Sequence, residues 1–314
     1  MTGVPVFTTR HVELAVSPDE AVEAVRRAFV AHYHGEWVMP PKVYVTNYPA
    51  GDFRAMPALG AGHALLKWVT SFPGNPSQGL ATVSGVVLVS DAENGRLKAL
   101  LDAAAVTALR TGAAAVLAAE TLGRTGAESF AVVGAGVNGR ATARTFLARG
   151  RPVALWDVNE QRARNVAAEL GASVAASREE ALGADVVATV TPGHQLLFDE
   201  GSLRPGQHVS LMGADGPGKS EIAAAELARV RVYCDDWEQA SHGGDLAYAV
   251  EAGLLGRDDV GQLGAVLAGD ASGRRDDDEI TAFDSTGLAI QDLAIALAAL
   301  ERADELPGLP RVEL

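Results

Sequence analysis

The chain has 314 residues, 48% of them hydrophobic, which is enough to bury a real core and to divide into two domains. A formal net charge of −14 repels phosphate backbones and anionic lipid, excluding a general nucleic-acid or membrane-surface binder while leaving room for a local basic pocket. The one cysteine, Cys234, excludes an internal disulfide and fits a reducing compartment.

The opening residues lack the charged-then-apolar pattern of a secretion signal, so a cytoplasmic protein is expected. Ser17-Pro18-Asp19-Glu20 starts the first helix: Ser17 caps, Pro18 suits the first helical position, and Glu20 completes a capping box. Val22, Val25, Phe29 and Tyr33 then recur at helical spacing. From residue 42 to 101 the texture changes to short β-rich runs, KVYVTNY, FRAMPAL, ALLKWVTSF, ATVSGVVLVS and RLKALL. Pro, Gly and Asn separate them, Asn94-Gly95 reads as a hairpin turn, and together they predict a mostly antiparallel sheet. Asp102 caps a long alanine-rich helix ending at Leu122, with Gly123 placed to stop it. This is the most apolar stretch, but Asp102, Arg110 and Glu120 interrupt it, and no bilayer span is expected.

After Glu128 apolar strands alternate with helices. FAVVGAG, PVALWD, ADVVATVTP, QHVSLMGAD and RVRVYCDD read as strands, VNGRATARTFLARG and EQRARNVAAEL as helices. That alternation predicts a parallel, doubly wound sheet covered on both faces. The segment GDASGRRDDDE (269–279) reads as a charged surface loop. A last strand, EITAFDSTG, leads into LAIQDLAIALAALE, a helix of about four turns. That helix lies beyond the α/β unit and is expected to return to the first domain. The expected fold class is therefore α/β: a Rossmann doubly wound parallel sheet plus a mostly antiparallel α+β domain. The expected boundaries are 1–116 with 288–314 for the latter and 117–287 for the former.

Gly134-Ala135-Gly136-Val137-Asn138-Gly139 satisfies the G-x-G-x-x-G pattern, with an apolar strand before it, a helix after it, and Asp157 ending the next strand. Gly134 permits the tight turn, Gly136 lets a pyrophosphate approach the backbone, and Gly139 lets helix and strand pack closely. The helix start at Val137 and Asn138 offers unpaired N–H groups to phosphate. Asp157 can accept hydrogen bonds from both ribose hydroxyls and would repel a 2′-phosphate, so NAD is expected over NADP, a preference that Arg140 and Arg144 soften. A second pattern, Gly213 to Ser220 (GADGPGKS), formally matches the phosphate loop of nucleotide triphosphatases. Pro217 removes an N–H that such a loop needs and Asp215 sets a carboxylate beside phosphate oxygens, so this reading is set aside.

Lys67 lies within an apolar strand on the face of Leu65 and Val69, where an ammonium is costly unless paired or functional; an edge-protecting lysine is the plainer alternative. Arg110 sits among the alanines of the long helix, as a salt-bridged or snorkelling side chain or as a ligand for an anion. His32 and His34 have no partners to complete a metal site, and no metal is expected. His242 is a loop residue without an assigned role.

Five separated blocks now line up: Lys67-Trp-Val-x-x-Phe-Pro-x-Asn75, Leu109-Arg110-Thr111-Gly112-Ala113-Ala114, the glycine turn, Gly213 to Lys219, and Phe283 to Asp292 (FDSTGLAIQD). Together they resemble the ornithine cyclodeaminase/μ-crystallin family, most closely its archaeal-type alanine dehydrogenase branch, over residues 39–297. The resemblance implies a homodimer with a Rossmann domain and a substrate-binding and dimerisation domain, and oxidation of an amino acid to an imine by NAD or the reverse. It implies that Lys67 stands beside the substrate carboxylate and nitrogen, that Arg110 and Arg54 bind the carboxylate, and that Asp215 orients water or amine at the imine carbon. Thr82, Thr191 and Ser285 are implied cofactor contacts; β-propensity threonines and a turn-forming serine are their plain readings. Arg54 also has a surface arginine as its alternative, and as a cation it disfavours the distal ammonium of ornithine. The expected partner is a small amino acid or imine, alanine first. Ornithine cyclisation and cyclic ketimine reduction are alternatives within the family, and a non-catalytic ligand-binding protein is the alternative of another class.

Overall fold

A computed structural model describes residues 3–216 and 218–314; the Pro217 of the phosphate-loop argument lies outside the described residues. The chain forms two units, Met1–Arg110 with Leu288–Leu314, and Thr111–Gly287. The first division falls inside a helix, against an expected boundary at 116.

The first unit opens with β1 (Val4–Phe7) and a helix absent from the sequence expectation, α1 (Thr9–Ala15). In α2 (Pro18–Tyr33) the Ser17 hydroxyl accepts from the Glu20 N–H, and the Glu20 carboxylate accepts from the Ser17 N–H at 2.9 Å, which closes the capping box. Ala21, Val22, Val25, Ala28 and Phe29 are buried at helical spacing, whereas Tyr33, at the frayed end, is exposed. Five strands follow: β2 (Val43–Asn47), β3 (Gly51–Gly60), β4 (His63–Ser71), β5 (Val83–Asp91) and β6 (Leu97–Asp102). Each pairs antiparallel with the next, and β1 adds parallel to β6. Period-two side-chain alternation gives this sheet two different faces. Asp52, Arg54, Met56 and Ala58 of β3 are buried with Leu65, Lys67 and Val69 of β4, Val87 and Val89 of β5, and Ala99 and Leu101 of β6. The opposite face leaves Val43, Val45, Leu66 and Trp68 exposed. Asp102 then accepts from the Ala104 N–H at 2.9 Å and starts α3 (Ala103–Leu122). That helix has the length and apolarity of a membrane span, and it is mostly buried within the protein.

The second unit carries β7 (Phe130–Val133), α4 (Val137–Ala148), β8 (Val153–Trp156), α5 (Glu160–Leu170), β9 (Ser173–Val174), α6 (Arg178–Leu182), β10 (Val186–Thr189) and β11 (His208–Leu211). It continues with α7 (Ala224–Leu227), β12 (Arg231–Cys234), α8 (Trp237–Gly243), α9 (Leu246–Glu251), β13 (Val260–Gln262), α10 (Leu263–Ala268) and β14 (Thr281–Asp284). Its eight strands run in the order β13-β12-β14-β11-β10-β7-β8-β9, every pair parallel. Strands β7, β10, β11 and β14 are buried along their whole length, as a sheet covered on both faces requires. The order reverses between β7 and β10, and in doubly wound folds ligands bind beyond the carboxyl ends of strands at such a point.

Two expectations are corrected here. The 269–279 segment is more than a surface loop: Arg274 is half-buried and donates to the carbonyl oxygens of Leu122 (2.7 Å), Gln207 (3.1 Å) and Glu279 and to the Thr281 hydroxyl (2.9 Å). Nor is EITAFDSTG the last strand. After α11 (Ala289–Glu301) the chain ends with β15 (Arg311–Val312), which pairs with β1. Helix α11 belongs to the first unit and packs on α2, β3 and β4, covering the buried face of that sheet.

Candidate functional site

In the second unit, β7 runs into Gly134, whose φ of +106° is a conformation that side chains with a Cβ avoid. A Cβ there would stand 2.6 Å from the carbonyl oxygen of Val190. Gly136 precedes α4, and a Cβ on it would meet no atom within 4 Å, so this backbone is open to a ligand. At Gly139 a Cβ would collide with the carbonyl oxygen of Gly134. No side chain caps α4, leaving the N–H groups of its first turn, from Val137 and Asn138 on, to serve an anion.

Asp157 closes this turn. Its carboxylate, 8% exposed, accepts from the Ala135 N–H and from the Asn159 N–H, each at 2.7 Å, with Arg162 3.5 Å away. It ties the glycine turn to the end of the neighbouring strand, a role the spacing alone did not suggest. Oδ1, which takes the Asn159 N–H alone, keeps a further lone pair for a ribose hydroxyl. Arg140 is ion-paired with Glu169, its Nε at 2.9 Å, so its charge is already balanced.

Glu221 organises the next two loops and escaped sequence reasoning. Fully buried, it accepts from both the N–H (3.0 Å) and the hydroxyl (2.6 Å) of Thr191, from the Thr189 hydroxyl (2.6 Å) and from the Gly213 N–H (2.9 Å). Burial nevertheless pushes its carboxyl up. Beside it, burial and the Glu221 charge push Asp245 up to about 7. The Thr191 hydroxyl is thus engaged inside the protein. Asp215 lies one loop away, partly exposed and 2.5 Å from Lys219. The helix after this loop is the short α7, with Ala223 as its N-cap residue and no side-chain cap. The phosphate-loop pattern fails for the same reason. No helix begins at Ser220, whose hydroxyl lies 2.7 Å from the Ile222 carbonyl oxygen and 2.9 Å from the Asp245 carboxylate. Ser285 and Thr286 donate to Asp235, which also accepts from the Gly287 N–H at 2.9 Å. The acidic end of β12 is therefore a lock for the turn after β14.

The first unit assembles a second cluster. Lys67, 2% exposed, puts its Nζ 3.0 Å from Oδ1 of Asp292 on α11. The Nε of Arg110 lies 3.8 Å from the same oxygen, and its Nη1 is 3.5 Å from the Gln291 side-chain oxygen. An edge-protecting lysine would be solvated; this one is a buried cation sharing a counter-ion with an arginine. Arg54 is equally far from a surface arginine, being 9% exposed, 2.6 Å from Asp52 and stacked over the Tyr44 ring. Thr82, by contrast, is exposed in the loop before β5, and its carbonyl accepts from the Phe72 N–H. His32 bonds the Trp37 carbonyl through its ring, and among the described residues no three His, Cys, Asp or Glu side chains gather as a metal site.

The structure thus brings together Lys67 and Arg110 through Asp292, and the glycine turn through Asp157. Asp292 and Glu221 were the residues missed. The first left one signal, a carboxylate inside the otherwise apolar helix LAIQDLAIALAALE, which needs a buried partner.

Residues 4–306 match the family described as Ornithine cyclodeaminase/mu-crystallin family. The chain is 41% identical over 308 residues to an alanine dehydrogenase of Archaeoglobus fulgidus, spanning 95% of this chain and 94% of the relative. It is 35% identical over 252 residues to an iminosuccinate reductase of Paracoccus denitrificans, spanning 77% and 78%. Among solved structures, an archaeal alanine dehydrogenase dimer with bound NAD matches with a TM-score of 0.92 at 39% identity, covering 99% of both chains.

Proposed function

The chain belongs to the ornithine cyclodeaminase/mu-crystallin family, and we propose that it is an NAD-dependent oxidoreductase interconverting a small L-amino acid, alanine first, with its imine and so its 2-oxo acid. One observation carries the reading most: a buried lysine and a partly buried arginine around a single buried carboxylate form a cationic site suited to a substrate carboxylate. The second unit fits a dinucleotide. Gly136 leaves its backbone open, α4 begins without a side-chain cap, and Asp157 stands where ribose hydroxyls would bind. When bound, NAD supplies the hydride acceptor for the substrate Cα. Arg110 and Arg54 hold the carboxylate, Lys67 orients it and handles the amine proton, and Asp215 orients the water that takes the imine onward. Thr82, Thr191 and Ser285 serve the cofactor, Thr191 through its carbonyl oxygen, because its N–H and hydroxyl are both given to Glu221.

The protein is read as a cytoplasmic homodimer joined through the outer face of the first unit's sheet. The solved archaeal relative is a dimer, and Val43, Val45, Leu66 and Trp68 form an exposed apolar band here. One observation favours ornithine cyclisation as a second reading. Asp52 stands 2.6 Å from Arg54 and offsets the cation that would repel a distal ammonium.

The test incubates the protein with NADH, ammonia and a panel of 2-oxo acids, then with cyclic imines, following the absorbance of the reduced cofactor. Ornithine with NAD is scored for proline without net NADH. Cofactor binding with no turnover on any panel would favour a non-catalytic binding protein instead. Lys67→Ala is expected to abolish turnover while leaving NAD affinity within about twofold; retained turnover or lost NAD binding would remove its assigned role.

A further inference from the structure

We infer that Asp292 is a positioning residue that holds the Lys67 ammonium and the Arg110 guanidinium in one fixed array for the substrate; the inference rests on the function proposed above. Lys67 comes from the middle of β4, Arg110 from α3 and Asp292 from the first turn of α11, where the positive end of the helix dipole favours a carboxylate. Oδ1 of Asp292 takes both cations, at 3.0 Å from Lys67 and 3.8 Å from Arg110, and Asp292 is fully buried. Among the described residues its Oδ2 has no hydrogen-bond partner, nor has Nε of Arg110 or Nε2 of Gln291. Polar atoms buried in this way are costly for a purely architectural ion pair and are common where a ligand completes the set.

Two cations and one anion leave a single positive charge in a dry place. One substrate carboxylate balances it. Asp292 does two further things. It keeps the ammonium protonated although a guanidinium stands nearby, and it fixes the direction of Nζ on a side chain with four rotatable bonds. The charged groups on the elements around Lys67 are Arg110 on α3, Asp292 on α11 and the Asp52–Arg54 pair on β3; β5 presents Val87.

The test uses the full-length protein and its Asp292→Asn variant. The chain has four lysines, Lys42, Lys67, Lys98 and Lys219, so side-chain NMR of lysine-labelled protein can follow Lys67 through a pH titration, with Lys67→Met giving the assignment. Loss of the counter-ion should move the Lys67 titration down by about one pH unit or more. The matching limb of the kcat pH profile should move the same way. At neutral pH kcat should fall about 100-fold while KM for the carboxylate substrate stays level or falls, since the site gains net positive charge. A Lys67 titration and pH profile that coincide with those of the unsubstituted protein would overturn the inference, whatever the loss of rate. If Asp292→Asn does not fold, the Lys67→Met/Asp292→Asn double variant is expected to fold and bind NAD; failure of the double variant also would overturn it. The NMR titration needs no turnover, so it still judges Asp292 should the amino-acid panels prove silent and the proposed function fail.

Discussion

Replacing Gly139 by alanine would drive a methyl group into the carbonyl oxygen of Gly134, a backbone atom that cannot turn aside. The expected cost is about 3 kcal/mol of stability, because overpacking here displaces main chain rather than a flexible side chain. NAD affinity, read by calorimetry, should fall by about tenfold or more through the same displacement. Asp245 offers a pH test. Burial beside Glu221 holds it at about 7 against an ordinary 3.8. Between those values the native chain keeps a proton that the unfolded chain has released, so the stability Asp245 contributes is full below pH 3.8 and declines as pH rises towards 7. Asp245→Asn does not titrate, and its oxygen can still accept from Ser220 and the Glu221 N–H. Thermal melts from pH 4 to 8 should therefore show the variant gaining on the unsubstituted protein up to about pH 7 and holding level above it.

At the scale of elements, what the sequence disclosed was what local chemistry decides. The Ser17–Glu20 box, the Asn94-Gly95 hairpin and the glycine turn each lie within a few residues, and each formed. Strands of the parallel sheet were readable because burial on both faces makes them continuously apolar. Short helices such as α8, α9 and α10, six or seven residues long, are below what a 3.6-residue period can reveal. The Lys67–Asp292 bond was hidden for another reason: its partners lie 225 positions apart, and only the return of α11 joins them. The 269–279 loop misled through its composition, since seven charges in eleven residues read as solvated while Arg274 is turned inward. Arg274→Ala strips a donor from three carbonyl oxygens and should cost about 3 kcal/mol, measurable by urea unfolding.

At the scale of the molecule, the first unit's sheet presents one face charged and covered, the other apolar and bare. Phe53 stacks against Trp68 at 5.8 Å and against Phe72 edge-on, so the bare face is also stiff. In the homodimer proposed above, Trp68→Glu places a carboxylate on that face opposite its own copy. Analytical ultracentrifugation should find the variant monomeric at concentrations where the unsubstituted chain is paired, with NAD binding to the second unit retained.

The discontinuity of the first unit sets an order of manufacture. Its helical cover, Ala289–Glu301, is synthesised only after the whole of Thr111–Gly287. Vectorial synthesis normally lets the amino-terminal part mature first. Here the nucleotide-type unit is contiguous and can settle early, while the N-terminal sheet waits, its Lys67 ammonium bathed in water, for the helix that will seal it. A released chain ending at residue 288 should accordingly resist protease over its later half and yield over its earlier one.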